Sequence, residues 1–147
     1  MKIRVSTLVA RSLIAVGLLI VTSQVVATAT VEVYKSPTCG CCAKWVDHMR
    51  DNGFTVNTHD VGNKEIRKKL GISNSLGSCH TALINGYAIE GHVPAEDILR
   101  LLKEKPKAVG LSVPGMPVGS PGMDGPSYDN RRDAYQVLLI QRDGSTT

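Results

Sequence analysis

The chain has 147 residues, 42% hydrophobic, 20% charged and 4% aromatic, which fits one domain with appendages and excludes wholesale disorder. Its formal charge is +4, but Lys2, Arg4 and Arg11 all lie in the first 29 residues, where no acid balances them. The other fourteen bases face thirteen acids, so no basic face remains to neutralise a phosphate backbone and nucleic-acid binding is excluded.

Residues 1–29 read as an export signal. Met1–Arg11 carries the positive charges, Ser12–Val21 is an apolar run of ten, and Ala27-Thr28-Ala29 offers small residues where a signal peptidase cuts. The run is too short to span about 30 Å of hydrocarbon, and Thr22, Ser23 and Gln24 interrupt it, which argues against a membrane anchor. Cleavage after Ala29 would start the mature chain at Thr30 in an oxidising compartment such as the periplasm.

The body reads as β-α-β-α-β-β-α. Thr30–Lys35 alternates and predicts a strand, with Val31, Val33 and Lys35 on one side. A helix follows from about Cys41 to Asn52, its apolar face being Cys42, Trp45, Val46 and Met49. Phe54–Val61 predicts a second strand, and Asn63 is placed to cap a short helix carrying Ile66 and Leu70. Thr81–Ile84 and Tyr87–Val93 predict two strands joined by an Asn85-Gly86 hairpin turn. Pro94 suits the first turn of a helix over Ala95–Lys105, with Ile98, Leu101 and Leu102 on one face. This order is the minimal thioredoxin or glutaredoxin plan, an α/β fold, and Thr30–Lys105 is long enough for it. Gly110–Pro126 holds five glycines and four prolines, a composition that predicts no regular structure. Tyr135–Ile140 predicts a last strand. The expected division is a signal at 1–29, a core at 30–106, a Pro/Gly/Met loop at 107–133, and a strand and tail at 134–147.

The chemistry concentrates in sulfur. Cys39 and Cys42 have C-x-x-C spacing between a strand and a helix start, the setting of a dithiol site. The free N–H groups and dipole of that helix favour a thiolate, so Cys39 is expected to be the more acidic and exposed thiol, and Cys42 half-buried beside Trp45. Cys41 adds a third thiol. Cys79 falls just before the third strand, where thioredoxin-like folds usually carry a cis-proline facing the active cysteines, and Ser78-Cys79-His80-Thr81 has no proline. Four thiols in contact make a soft-metal site. Vicinal thiolates at Cys41 and Cys42 bind one ion poorly but bridge several, which suits a multinuclear Cu(I) cluster. The competing expectation is that the four cysteines form structural disulfides, Cys39–Cys42 or bridges to Cys79 being favoured over a strained Cys41–Cys42 link.

The Pro/Gly loop carries thioethers at Met116 and Met123, which serve either as copper contacts or as gap fillers. Among the histidines, His80 beside Cys79 is the ligand candidate. His48 is expected to be solvated, His59 is uninformative, and His92 is expected in a capping or surface role. Arg67-Lys68-Lys69 reads as a solvated helix face.

These motifs together resemble a known family. VYKSPTCGCCAKW at the first helix, SCHTA, GYAIEGHVPA and AVGLSVPGMPVGSPGM, preceded by an export signal, are similar to the CopG-type periplasmic copper-resistance proteins. The resemblance covers about Val31–Leu139. It implies a thioredoxin-like fold, a copper-binding role in detoxification, and thiol-linked interconversion of Cu(I) and Cu(II). The four cysteines carry over, and Met116 and Met123 match the family's methionine loop. The expected function is therefore Cu(I) binding at Cys39, Cys41, Cys42 and Cys79, with Cys39 and Cys42 as the redox pair and His80, Met116 and Met123 as further ligands. A periplasmic reductant or a copper-export protein is the expected partner. A copper carrier without turnover and a general thiol-disulfide oxidoreductase are the alternatives.

Overall fold

The computed structural model describes residues 29–147; residues 1–28, which hold nearly all of the expected export signal, lie outside them. Among the described residues no helix is long and apolar enough to cross a membrane. The elements are β1 (Thr30–Lys35), α1 (Gly40–Asp51), β2 (Thr55–His59), α2 (Lys64–Lys69), β3 (His80–Ile84), β4 (Tyr87–Glu90), α3 (Ala95–Glu104), β5 (Ala108–Ser112) and β6 (Leu138–Gln141). They form one mixed sheet in the order β2-β1-β3-β4-β5-β6. Strands β1 and β2 run parallel, as do β4 and β5, and the other three pairings are antiparallel.

Strand alternation divides the burial between two faces. Val31, Val33, Ala82, Ile84, Ile89 and Leu111 share a core with Trp45, Val46 and Met49 of α1 and with Ala95, Ile98 and Leu101 of α3. The opposite face buries Ala88 and Ile140 against Ile72 and Leu76, which follow α2. The apolar stripe of α1 is Cys42, Trp45, Val46 and Met49, as its period predicts.

Several expectations need correction. The Pro/Gly-rich stretch begins as strand β5, because Gly110 is there for close approach: a Cβ on it would lie 1.7 Å from the Ala88 carbonyl oxygen on the neighbouring strand. Strand β4 stops at Glu90, since Gly91 turns the chain at φ 73°. Strand β6 starts at Leu138, later than Tyr135. Asn63 makes no side-chain cap on α2; its amide donates instead to the Ser78 carbonyl and to Thr81 Oγ1, each at 3.2 Å. Arg67 is not on a solvated face, because its guanidinium turns inward to Glu90, 3.7 Å away.

His48 is half-buried rather than solvated. The Ala95 N–H at the start of α3 donates to its Nε2 at 3.1 Å, so the ring of α1 satisfies an otherwise unpaired donor of α3. Burial pushes His48 below its ordinary value of 6.5, against the opposing pull of Asp124, Asp51 and Glu96. The unfolded chain therefore takes up a proton there first as pH falls.

Two measurements follow. Gly110→Ala should destabilise the fold by at least about 2 kcal/mol in thermal or denaturant unfolding, because the backbones of β4 and β5 must separate. An NMR titration should place His48 below about 6.5, and wild-type stability should fall more steeply below that pH than that of His48→Gln, whose amide accepts the same bond without titrating.

Candidate metal centre

The four cysteines meet at the N-terminal end of α1. Cys39 precedes the helix in extended geometry, Cys41 and Cys42 lie in its first turn, and Cys79 approaches at the head of β3. Their sulfurs all lie within 4.8 Å of one another. Cys39 and Cys42 are joined by a disulfide, with Cα atoms 5.3 Å apart, while Cys41 and Cys79 are free thiols. Cys41 Sγ is 3.5 Å from Cys39 Sγ and 3.8 Å from Cys79 Sγ. Cys42 is fully buried, more deeply than expected, and the other three are partly exposed.

The segment carrying Cys79 is held without a cis-proline; no peptide bond among the described residues is cis. The carboxylate of Glu90, fully buried on β4, accepts the Ser78 N–H at 2.7 Å and the Thr81 hydroxyl at 2.5 Å. Burial raises its pKa, and the two hydrogen bonds and Arg67 offset part of that. The Ser78 hydroxyl donates to the Gly115 carbonyl, and the Gly115 N–H donates to the Gly77 carbonyl at 3.0 Å.

Two imidazoles complete the site. His92, expected in a capping or surface role, is fully buried. Its Nδ1–H donates to the Pro121 carbonyl at 2.8 Å, which leaves Nε2 unprotonated and aimed at Cys79 Sγ, 3.1 Å away. His80 Nδ1 lies 3.5 Å from the same sulfur. The His80 ring packs against Trp45 at 4.4 Å between centroids and edge-on to His92 at 5.0 Å. Its Nε2 is buried with no hydrogen-bond partner. Burial, with the neighbouring His92, keeps His80 well below the usual imidazole range, and burial lowers His92 as well. Cys79, His80 and His92 thus form a second candidate ligand group that shares one sulfur with the first. The sequence signal for His92 was Gly91, whose φ of 73° turns the chain back beneath Ser78.

The methionines are not equivalent. Met123 is buried and its Sδ accepts the Tyr128 hydroxyl at 3.4 Å, whereas Met116 is 52% exposed. Each neighbours a glycine that touches the site. Gly115 is bonded to Gly77 and Ser78, and a Cβ on Gly122 would lie 2.7 Å from the Cys41 carbonyl oxygen. The loop therefore lies across the start of α1. The donor set is sulfur and imidazole nitrogen without a carboxylate, which fits a soft ion such as Cu(I).

Two solved structures, described as copper resistance protein CopG in forms 1 and 2, are similar to this chain at 45% and 44% identity. Each superposes with a TM-score of 0.75, and the match covers 82% of this chain and 94% of theirs. The chain belongs to the CopG family of copper-resistance proteins. A family model described as a protein of unknown function, DUF411, matches residues 76–123, which span Cys79, both buried histidines and the methionine loop. No curated protein matches the chain. The four clustered cysteines, which could hold a metal ion, are those the sequence pattern selected.

Burial pushes the Cys79 thiol up to about 12, with the neighbouring Cys41 adding to the effect. In metal-free protein with the Cys39–Cys42 disulfide intact, Cys79 should alkylate roughly a hundredfold or more slowly than a free cysteine at pH 8. Iodoacetamide trapping with peptide mass spectrometry measures that rate directly.

Proposed function

We propose that this protein is exported to the periplasm, gathers copper as Cu(I) on its cysteine cluster, and couples thiol-disulfide chemistry to the interconversion of Cu(I) and Cu(II). Copper is the cargo here, not a resident cofactor. One observation carries the reading: four cysteine sulfurs within 4.8 Å of one another, two of them already paired as a disulfide at a helix N-terminus. Two structural staples connecting distant segments would not bring all four sulfurs together, and the apolar core needs no such staples.

Cys39, Cys41, Cys42 and Cys79 are the thiolate ligands. His80 and His92 add imidazole nitrogen beside Cys79. Met116 and Met123 supply thioethers from the overlying loop. Residues 1–29 are the export signal in this reading.

In the redox step, the Cys39 and Cys42 thiolates each pass one electron to a Cu(II) ion. Two Cu(II) become two Cu(I), and the Cys39–Cys42 bond closes. A partner dithiol then reopens the disulfide by exchange and is itself oxidised. The helix N-terminus favours the thiolate form needed at both steps.

Anaerobic titration of the fully reduced protein with Cu(I) should give at least one tightly bound ion per chain, and Cys39→Ser combined with Cys79→Ser should abolish that binding. Less than one ion per chain, or unchanged binding in the double variant, would sink the metal assignment. Mixing the reduced protein with Cu(II), a Cu(I) chelator and a dithiol should give repeated turnover; a carrier would give none.

A further inference from the structure

The redox reading uses one cysteine pair, and the structure shows that pair closed. The other two sulfurs are still thiols, and they touch. Cys41 Sγ and Cys79 Sγ are 3.8 Å apart, although the residues are 38 positions apart in the chain. A disulfide between them needs that gap closed to about 2.05 Å by rotation of the two side chains. Cys41 is fixed in the first turn of α1 under Gly122, and Cys79 is fixed through the Ser78 N–H bond to Glu90. Both thiols are partly exposed, unlike Cys42, so a dissolved oxidant reaches them.

We propose that Cys41 and Cys79 are a second redox couple, which closes as a Cys41–Cys79 disulfide and gives the reduced site four electrons to deliver rather than two. The proposal rests on the redox reading above and extends it. Cys41 and Cys79 each give one electron to a Cu(II) ion. Two Cu(II) become two Cu(I), the two thiol protons pass to solvent, and one S–S bond forms. A partner dithiol reverses the step by exchange and leaves as a disulfide.

The two couples are also connected. Cys41 Sγ lies 3.5 Å from Cys39 Sγ, so its thiolate can attack that sulfur, forming Cys39–Cys41 and releasing Cys42 as a thiolate. This exchange moves the disulfide and neither gains nor loses electrons. Closing both couples has a consequence for the cargo. With two disulfides no thiolate remains, so the oxidised limit of the site loses the ligands that select Cu(I).

The test counts electrons. The fully reduced protein is mixed anaerobically with excess Cu(II) and a Cu(I) chelator, and Cu(I), residual thiols and bridged peptides are measured. The wild type should deliver four Cu(I) per chain, leave no titratable thiol, and yield a peptide joining Cys41 to Cys79. Cys39→Ser with Cys42→Ser should still deliver two Cu(I) and yield the same peptide. Cys41→Ser with Cys79→Ser should also deliver two. A wild type that stops at two Cu(I), with Cys41 and Cys79 alkylated once the chain is unfolded, overturns the second couple and leaves the first intact. A bridge joining two chains rather than one also overturns it. No Cu(I) from the wild type overturns the redox reading itself and the second couple with it.

Discussion

The centre depends on how Trp45 is held. Its ring is fully buried, and its indole N–H donates to the Val93 carbonyl at 2.9 Å. That bond lies inside the core, where losing it would leave a buried carbonyl unpaired. It ties the first turns of α1, with Cys41 and Cys42, to the chain just after β4. His92 is one residue before that carbonyl. The His80 ring packs against the same indole. One side chain therefore touches both halves of the site, the helix with its cysteines and the segments that carry His80 and His92. A helix that slid by a fraction of a turn would separate Cys41 from Cys79.

The second constraint holds the segment that carries Cys79 in place. A segment that crosses in front of a dithiol must be held at a fixed depth. Here the Ser78 N–H is received by a buried carboxylate and the Ser78 hydroxyl by the loop carbonyl of Gly115. Burying a carboxylate is costly unless it is paired and hydrogen-bonded. Glu90 has both, through Ser78, Thr81 and the nearby Arg67 of α2. The short helix α2 buries no side chain fully, so its contribution is the inward Arg67 and Asn63 just before its first turn.

What the sequence revealed follows the range over which each signal acts. The face of α1, strand β1 and the Asn85-Gly86 turn are local signals, and they stand where the pattern put them. The four cysteines were legible because their residue type alone is informative. Strand β5 was not, because Gly110 there answers to Ala88 on a neighbouring strand rather than to its own neighbours in sequence. His92 was missed for the same reason. Its partners are Cys79, thirteen positions earlier, and Pro121, twenty-nine later, and only the assembled fold joins them. Arg67 and Asn63 look like ordinary surface residues until Glu90 and Thr81 are placed beneath them.

The parity of the strands explains why the centre can be soft. On β3, His80 points to the α1 face, and Thr81 points to the opposite one. Glu90 shares the face of Thr81, and Gly91 then turns the chain so that His92 returns to the side of the cysteines. The only buried carboxylate among the described residues is thus separated from the sulfurs by the sheet itself. Hard oxygen ligands are kept on one face, where they hold the backbone. Thiols and neutral imidazoles are kept on the other, where burial disfavours protonated histidine and no carboxylate joins the ligand groups. A one-residue slip of β3 against β1 would exchange the two sets, carrying Thr81 toward the sulfurs and His80 toward Glu90. Register, as much as residue choice, therefore decides that sulfur and imidazole nitrogen, the donors a soft metal favours, share one face.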